Sequence, residues 1–436
     1  MLVPMTVIHA IAAWVLLWLS LVGAWLAWNT YRPLYGRHTA MVSFFTGWLT
    51  AELALHHVVF QALITILLIR AGALEHTIGW IGVWISFASW AALLWGYFFE
   101  GRTAENAVER ALCEGLGADY RSRIRPELAT RFAPRIDWKA ILMPLPMRHR
   151  DVERSRDIPY HRARGITLKL DVYRNRSRPQ NCPVLLEIHG GGWVVGSKNQ
   201  QGIPMMLRMA AQGWVCVSAN YRLSPHATFP EHLIDLKHAL RWIREHAAEY
   251  GGDPDFVIVA GQSAGGHLAS LLALTANQPE LQPGIESVDT RVRGCISFYG
   301  VYDFTDRYAL WRNQELARLL EEQVMKTALD EDREAYEKAS PMSHVSADDP
   351  PFFVVHGDRD SLVPVEEARR FVDLMRAVTR KPMVYAEIHG AQHAFEIFPS
   401  LRGVLVLSGV ERFLAYLHSE HLAERADGRD AAVLSA

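Results

Sequence analysis

The sequence predicts an α/β fold, a doubly wound and mostly parallel sheet with a cap insertion, preceded by an all-α region of transmembrane helices. Three observations carry this. From about Ile158 onward, short β-branched runs alternate with segments of helical spacing, as expected of parallel strands joined by crossover helices. Within that stretch, Ile258-Val259-Ala260 runs through Gly261-Gln262-Ser263-Ala264-Gly265 into an Ala/Leu-rich segment, Leu268 to Ala276. Strand, sharp turn and helix thus follow one another without a spacer. Residues 1–100, by contrast, hold three Arg, no Lys and nine of the 14 Trp.

Composition narrows the function classes. A formal net charge of −2 over 436 residues, 50% of them hydrophobic, suggests no nucleic-acid partner. Cys113, Cys182, Cys216 and Cys295 lack CxxC spacing, so neither a disulfide framework nor a zinc site is visible. No metal or organic cofactor is implied.

In the apolar region, Val7 to Trp28 is uncharged and exceeds the about 20 residues that a bilayer crossing needs. It lacks a basic leader and a small-residue cleavage site, which argues against a removable signal peptide. Ile78 to Phe99 is a second uncharged run, with Trp80 and Trp95 as interfacial anchors and Gly82 and Ser86 spaced for close helix contact. Between them, Met41 to Ile69 is apolar except for Glu52, His56 and His57. Glu52 and His56 lie one turn apart and read as structural glue between helices, with a lipid-headgroup site as the alternative. Three spans are expected, or two spans and a re-entrant piece. Arg32 and Arg37 outnumber Arg70 across the loops. The basic-inside bias then makes this a multi-pass integral membrane protein with its large C-terminal domain on the cytoplasmic side.

Residues 101–155 read as a basic juxtamembrane linker. Arg121, Arg123, Arg125, Arg131 and Arg135 cluster there, suited to anionic headgroups, and Ile136 to Met147, apolar with Trp138, is expected against the interface or against the C-terminal domain. The catalytic domain is expected over 156–420, a cap over about 301–349, and a disordered tail over 421–436. In chain order the strands are Ile166–Tyr173, Pro183–His189, Val215–Ala219, the run into Ser263, Val292–Phe298, Pro351–Val355 and Met383–Ile388. Glu231–His246 and Val365–Val378 have helical spacing.

Ligands in such sheets bind at the carboxyl ends of strands, where all the chemical motifs fall. The Gly261–Gly265 turn forces Ser263 into a strained conformation that only small neighbours permit, which presents a nucleophile. Acyl transfer then needs a base and a carboxylate to orient it. His393 follows the last strand and is the expected base, with His389 its competitor. In His356-Gly357-Asp358-Arg359-Asp360, Asp360 is the expected orienting carboxylate, and Asp358 is expected to shape the turn. The amides of Gly191 and Gly192, with His189 and Gly190 in support, and that of Ala264 are expected to hold an oxyanion. The order Ser, Asp, His is that of the α/β-hydrolases.

Taken together, His189-Gly-Gly-Gly-Trp193, Asn220-Tyr221-Arg222-Leu223-Ser224-Pro225, Gly261-Gln-Ser-Ala-Gly-Gly266, Asp360 and His393 resemble the hormone-sensitive-lipase-like branch of the α/β-hydrolases, which includes bacterial carboxylesterases. The resemblance covers roughly residues 155–420. It implies a Ser263–Asp360–His393 triad with oxyanion donors at Gly191, Gly192 and Ala264. Gln262 and Asn220 stand where that branch has Asp, and Gln262 and His267 are also similar to arylformamidases and isoprenylcysteine methylesterases. The expectation is a membrane-anchored serine carboxylesterase or lipase acting on small-molecule or lipid esters among membrane lipids. An acyltransferase or arylformamidase-type activity on the same residues, or a catalytically retired receptor or scaffold, is the alternative. Tyr302, Phe304 and Trp311 of the cap are candidates to line an acyl pocket.

Overall fold

The computed structural model describes residues 4–129 and 136–434. The apolar region begins with α1 (Met5–Tyr31), followed by α2 (Ala40–Glu52), α3 (Ala54–Arg70) and α4 (Thr77–Trp95). Helix α4 runs on without interruption to Leu116, so Thr77–Leu116 is one 40-residue helix. Its last part is α5 (Gly101–Leu116). Helices α1 and α4 lie parallel. Ser20 Oγ meets Ser86 Oγ at 2.8 Å, and nearer the carboxyl ends Tyr31 Oη donates to the Ala92 carbonyl. A Cβ on Gly82 would stand 3.1 Å from the Leu17 amide nitrogen, so the small residue permits the close approach that its spacing predicts.

Two helices, α1 and Thr77–Leu116, are long and apolar enough to cross a membrane, and up to three if α2 and α3 count as one broken span. Those two meet at 89°, so the single straight span expected over Met41–Ile69 is not formed. The bend falls at Glu52 and Leu53, where Glu52 is tied to the C-terminal domain. Its buried carboxylate accepts from Ser400 Oγ at 2.6 Å and pairs with Arg402. These partners belong to the C-terminal domain, which corrects the expectation of glue between membrane helices. Helix α3 runs back antiparallel to α1 and α4: Gln61 accepts from Trp90 Nε1, and Gly72 at its far end lies against His9.

The sheet contains β1 (Val152–Ala163), β2 (Ile166–Asn175), β3 (Cys182–Ile188), β4 (Val215–Ala219), β5 (Gly252–Gln262), β6 (Gly294–Phe298), β7 (Phe352–Gly357) and β8 (Met383–Ile388). Their order is β1-β2-β4-β3-β5-β6-β7-β8, antiparallel through β1, β2 and β4 and parallel thereafter. The central strands are buried on both faces and alternate in the layer they serve. Val184, Val257 and Val354 pack with Leu236 and Leu240 of α7 (Glu231–His246), with Leu268 and Leu272 of α8 (Ala264–Leu274) and with Phe371 of α9 (Val365–Val378). Leu185, Ile258 and Val355 pack on the other face with Met206 of α6 (Ile203–Ala211), Val108 of α5 and Phe413 of α10 (Leu401–Leu434).

Helix α5 therefore is not a linker. Ala104, Val108, Ala111 and Leu112 form one buried stripe against β8 and α10. Gly409 makes room for the crossing, since a Cβ there would overlap Val108. The expected headgroup-binding arginines are paired within the protein: Arg121 with Glu109, Arg123 with Glu420 and Arg125 with Glu127. Arg131 and Arg135 lie outside the described residues. The segment expected as a disordered tail instead continues α10 to Leu434, with His421 buried and Arg425 paired with Asp253.

Candidate active site

Ser263 stands between β5 and α8 at φ 55°, ψ −123°. A side-chain-bearing residue reaches this region only when its surroundings hold it there. Two glycines make the turn feasible. A Cβ on Gly261 would lie 2.2 Å from the Gly265 carbonyl oxygen, and one on Gly265 2.0 Å from that of Ile188. The Ser263 amide donates to the Phe298 carbonyl at 2.9 Å, which ties the turn to β6. The side chain is left partly open at the N-terminus of α8.

The glycine-rich loop after β3 presses on this turn. A Cβ on Gly190 would fall 3.0 Å from that of Ser263. Gly191 (φ 117°) and Gly192 (φ 59°) both adopt left-handed backbone, so the loop needs glycine twice in succession. Two side chains hold it. The His189 ring, pushed down to about 4 by burial and hence neutral, donates from Nδ1 to the Gly190 carbonyl at 2.8 Å. Gln201 Oε1 accepts from the Gly190 amide at 2.6 Å. Among the described residues, the amides of Gly191, Gly192 and Ala264 donate to no protein acceptor. Three donors thus stay available beside the serine.

Asp360 and His393 meet across the ends of β7 and β8. His393 Nδ1 donates to Asp360 Oδ2 at 2.6 Å, and both residues are buried. Asp360 Oδ1 accepts from the Leu362 and Val363 amides at 2.8 and 2.9 Å, so the carboxylate is fully engaged. Burial alone would push the Asp360 carboxyl up, yet His393 and His356 beside it hold it well below the usual carboxylate range. With Nδ1 committed as donor, His393 Nε2 remains to take a proton. No direct hydrogen bond joins Ser263 Oγ to the His393 ring among the described residues. In free enzymes such contacts are often long and tighten when substrate docks.

The alternatives weighed for these roles lie elsewhere. His389 Nδ1 meets Asp358 Oδ2 at 2.7 Å, but His389 is 55% exposed in its side chain and faces Glu100. Asp358 also accepts from the Gly390 amide at 2.8 Å. His267 is buried, accepting from Trp193 Nε1 at 3.1 Å and donating to the Ala339 carbonyl at 2.7 Å. Tyr302 and Phe304 pack in the core, Tyr302 on Phe371 and Phe304 on His267. Among the described residues, no group of three or more His, Cys, Asp or Glu is placed to hold a metal ion.

Several contributors escape sequence reasoning. Gln392 Oε1 accepts from the Ser361 amide at 2.7 Å and the His393 amide at 2.9 Å, clamping the two loops together. His356 Nε2 stands 3.2 Å from Asp360 Oδ2. The Tyr299 ring packs 4.4 Å from that of His393, and its hydroxyl donates to buried Glu396. Phe44 of α2 stands edge-on to His393 at 5.8 Å. The Gln392-His393 pairing alone had a local signal, as adjacent polar residues in a strand-end loop.

Behind the site, burial pushes Glu396 up to about 7 and Glu187 up to about 8, with the charge of Glu396 adding to the latter. Glu187 accepts from Ser218 Oγ at 2.7 Å, and its other oxygen has no hydrogen-bond partner among the described residues. Below its ordinary value of 4.5, folded and unfolded chains both hold this proton. Between 4.5 and about 8 only the folded chain does, so stability falls as pH rises through that window. Glu187→Gln is expected to flatten that decline, read from denaturation midpoints measured across the window.

Comparison with known proteins bears on the family of the chain. A protein-family profile described as BD-FAE matches residues 170–375. The probable carboxylic ester hydrolase LipM of Mycobacterium tuberculosis is 40% identical over 415 residues, covering 93% of this chain and 94% of the relative. The esterase LipQ of the same organism is 36% identical, covering 82% and 90%. The isoprenylcysteine alpha-carbonyl methylesterase ICME of Arabidopsis thaliana is 26% identical over 49% of this chain and 51% of its own. The reach of the LipM alignment takes in most of the N-terminal helices as well as the sheet. The mostly parallel sheet, the serine turn at its carboxyl edge and this likeness along nearly the whole chain agree: the protein is an enzyme of the α/β-hydrolase carboxylic ester hydrolases, and belongs to their hormone-sensitive-lipase-like branch.

Proposed function

We propose that the protein is a membrane-anchored serine esterase that hydrolyses lipid-like carboxylic esters through an acyl-enzyme. Ser263 Oγ attacks the ester carbonyl while His393 Nε2 takes its proton. The amides of Gly191, Gly192 and Ala264 receive the negative oxygen of the tetrahedral intermediate. The C–O bond to the alcohol then breaks, and His393 returns the proton to the departing oxygen. Water, activated by the same imidazole, resolves the acyl-serine and releases the acid. Asp360 keeps the proton on Nδ1 throughout. The observation that carries this reading is the buried 2.6 Å contact between His393 Nδ1 and Asp360, formed beside a serine held at positive φ.

Residues 1–100 serve as the membrane part, with the N-terminus and the catalytic domain on opposite faces. The parallel course of α1 and α4 supports an odd number of passes, and the basic Arg32–Arg37 loop, on the catalytic side, supports a cytoplasmic position. That loop also meets the segment 301–349, a cap over the site. Asn313 Nδ2 donates to the Tyr35 carbonyl at 3.0 Å, and Arg37 pairs with Glu315. Tethering in the bilayer raises the local concentration of lipid esters.

The test is covalent. A fluorophosphonate probe is expected to label the purified full-length protein once, with the adduct mapped by mass spectrometry to the peptide containing Ser263. Folded protein that takes no label, or takes it elsewhere, refutes the serine mechanism.

A further inference from the structure

Helix α2 touches both the membrane region and the reacting imidazole. It is wedged against α1, where Asn29 Nδ2 donates to the Ser43 carbonyl at 2.9 Å. On its other side it lies on the two catalytic loops. Ser361 Oγ, next to Asp360, donates to the Ala40 carbonyl at 3.3 Å. A Cβ on Gly47 would stand 3.6 Å from Nε2 of Gln392, which precedes His393. The Glu52 pairing with Ser400 and Arg402 pins the far end.

Phe44, held in this frame, is the aromatic face that α2 turns to His393. Trp48 backs it, stacked at 5.4 Å on Phe44 and at 5.6 Å on Phe398. The neighbours of Phe44 are apolar and open: Met41, one turn earlier, is 55% exposed, and Phe45, whose ring is 4.8 Å from that of Phe44, is 49% exposed. The Asn29 contact with Ser43 sets α2 against the last turns of α1, where Trp28 is also exposed. Exposed apolar side chains thus stand on adjoining helices, Trp28 on α1 and Met41 and Phe45 on α2, next to the Phe44 that meets His393.

We infer that α2 is the acyl-chain wall of the active site, and that the hydrocarbon chain of a bilayer-resident ester slides along Met41 and Phe45 to Phe44 without passing through water. This rests on the serine-esterase reading above and adds the substrate's route and what selects it. Each methylene drawn from lipid into water is unfavourable, so a continuous apolar path favours long chains over short ones. The broken span has a use on this account: the bend at Leu53 turns a would-be crossing helix sideways, across the site.

The experiment compares the full-length enzyme in lipid nanodiscs on p-nitrophenyl butyrate and p-nitrophenyl palmitate. In Phe44→Ala, and separately in the double variant Met41→Ser/Phe45→Ser, the palmitate-to-butyrate ratio of kcat/KM is expected to fall about tenfold, the loss of one or two buried methylene equivalents. Phe44→Leu is expected to recover most of it. The double variant alters only exposed side chains, so its outcome does not hinge on folding. An unchanged ratio, or equal losses on both esters, overturns the wall. Failure of the underlying serine reading looks different: wild-type protein would take no fluorophosphonate and turn over neither ester.

Discussion

Ester hydrolysis by Ser263→Ala is expected to fall by roughly 10⁶-fold, and by Asp360→Asn by roughly 10⁴-fold, measured as kcat on a soluble ester. The two losses have different origins. Alanine removes the attacking oxygen. Asparagine keeps the shape of Asp360 but can present an amide N–H to His393, which moves the imidazole proton to Nε2, where it faces the serine instead of receiving from it. Because Asp360 Oδ1 is also fixed by the Leu362 and Val363 amides, the variant retains its loop geometry and the loss is one of protonation. The double variant is expected to be no worse than Ser263→Ala alone, since residues acting as a unit do not contribute additively. Asp360→Asn retaining more than about a tenth of wild-type kcat would refute the assigned roles.

Glu52→Ala is expected to destabilise the folded protein by about 3–5 kcal/mol, because it leaves the Arg402 guanidinium buried without its carboxylate. The effect is large for a residue in a hydrophobic run, where truncation usually removes only contact. Arg402 is then the uncompensated charge, and its Nε has no partner among the described residues even in the wild type. Glu52→Leu/Arg402→Met, which removes both charges, is expected to recover much of the loss, since replacing a buried pair by apolar groups of similar volume is often neutral. Denaturation midpoints of the full chain in one detergent, analysed as a double-mutant cycle, decide between coupling and independent effects. Additive losses would show that Glu52 and Arg402 do not act as a pair.

The candidate site was the more legible part of the sequence because its residues lie at strand ends, where short motifs and strand order are enough to place a residue. Ser263, Asp360, His393 and the glycine loop required no knowledge of tertiary packing. The role of α2 was hidden because hydropathy sums side chains over a span and is blind to a bend within it. Met41–Ile69 reads equally well as one crossing or as two pieces at right angles. Glu52 could be flagged as unusual, but its partners, Ser400 and Arg402, are about 350 positions away. For α5 the stripe Ala104, Val108, Ala111 and Leu112 lies in the sequence, but the arginines beyond it favour a basic juxtamembrane linker against anionic headgroups. Those cations are matched by Glu109, Glu127 and Glu420, two of them local and one far along the chain.

The unbroken helix from Thr77 to Leu116 bears on how such an enzyme can work. Its first half has the character of a lipid-phase rod, and its second half is a structural layer of the hydrolase, wedged between β8 and α10. On the membrane-anchored reading proposed above, a helix of this kind gives no leash. On that reading, the height and tilt of the catalytic mouth relative to the bilayer follow from the fold itself, and the enzyme is not expected to swing outward to a distant target. On the proposed arrangement, encounters occur by two-dimensional diffusion within one leaflet, and turnover should follow the surface density of ester in the membrane and not its bulk concentration.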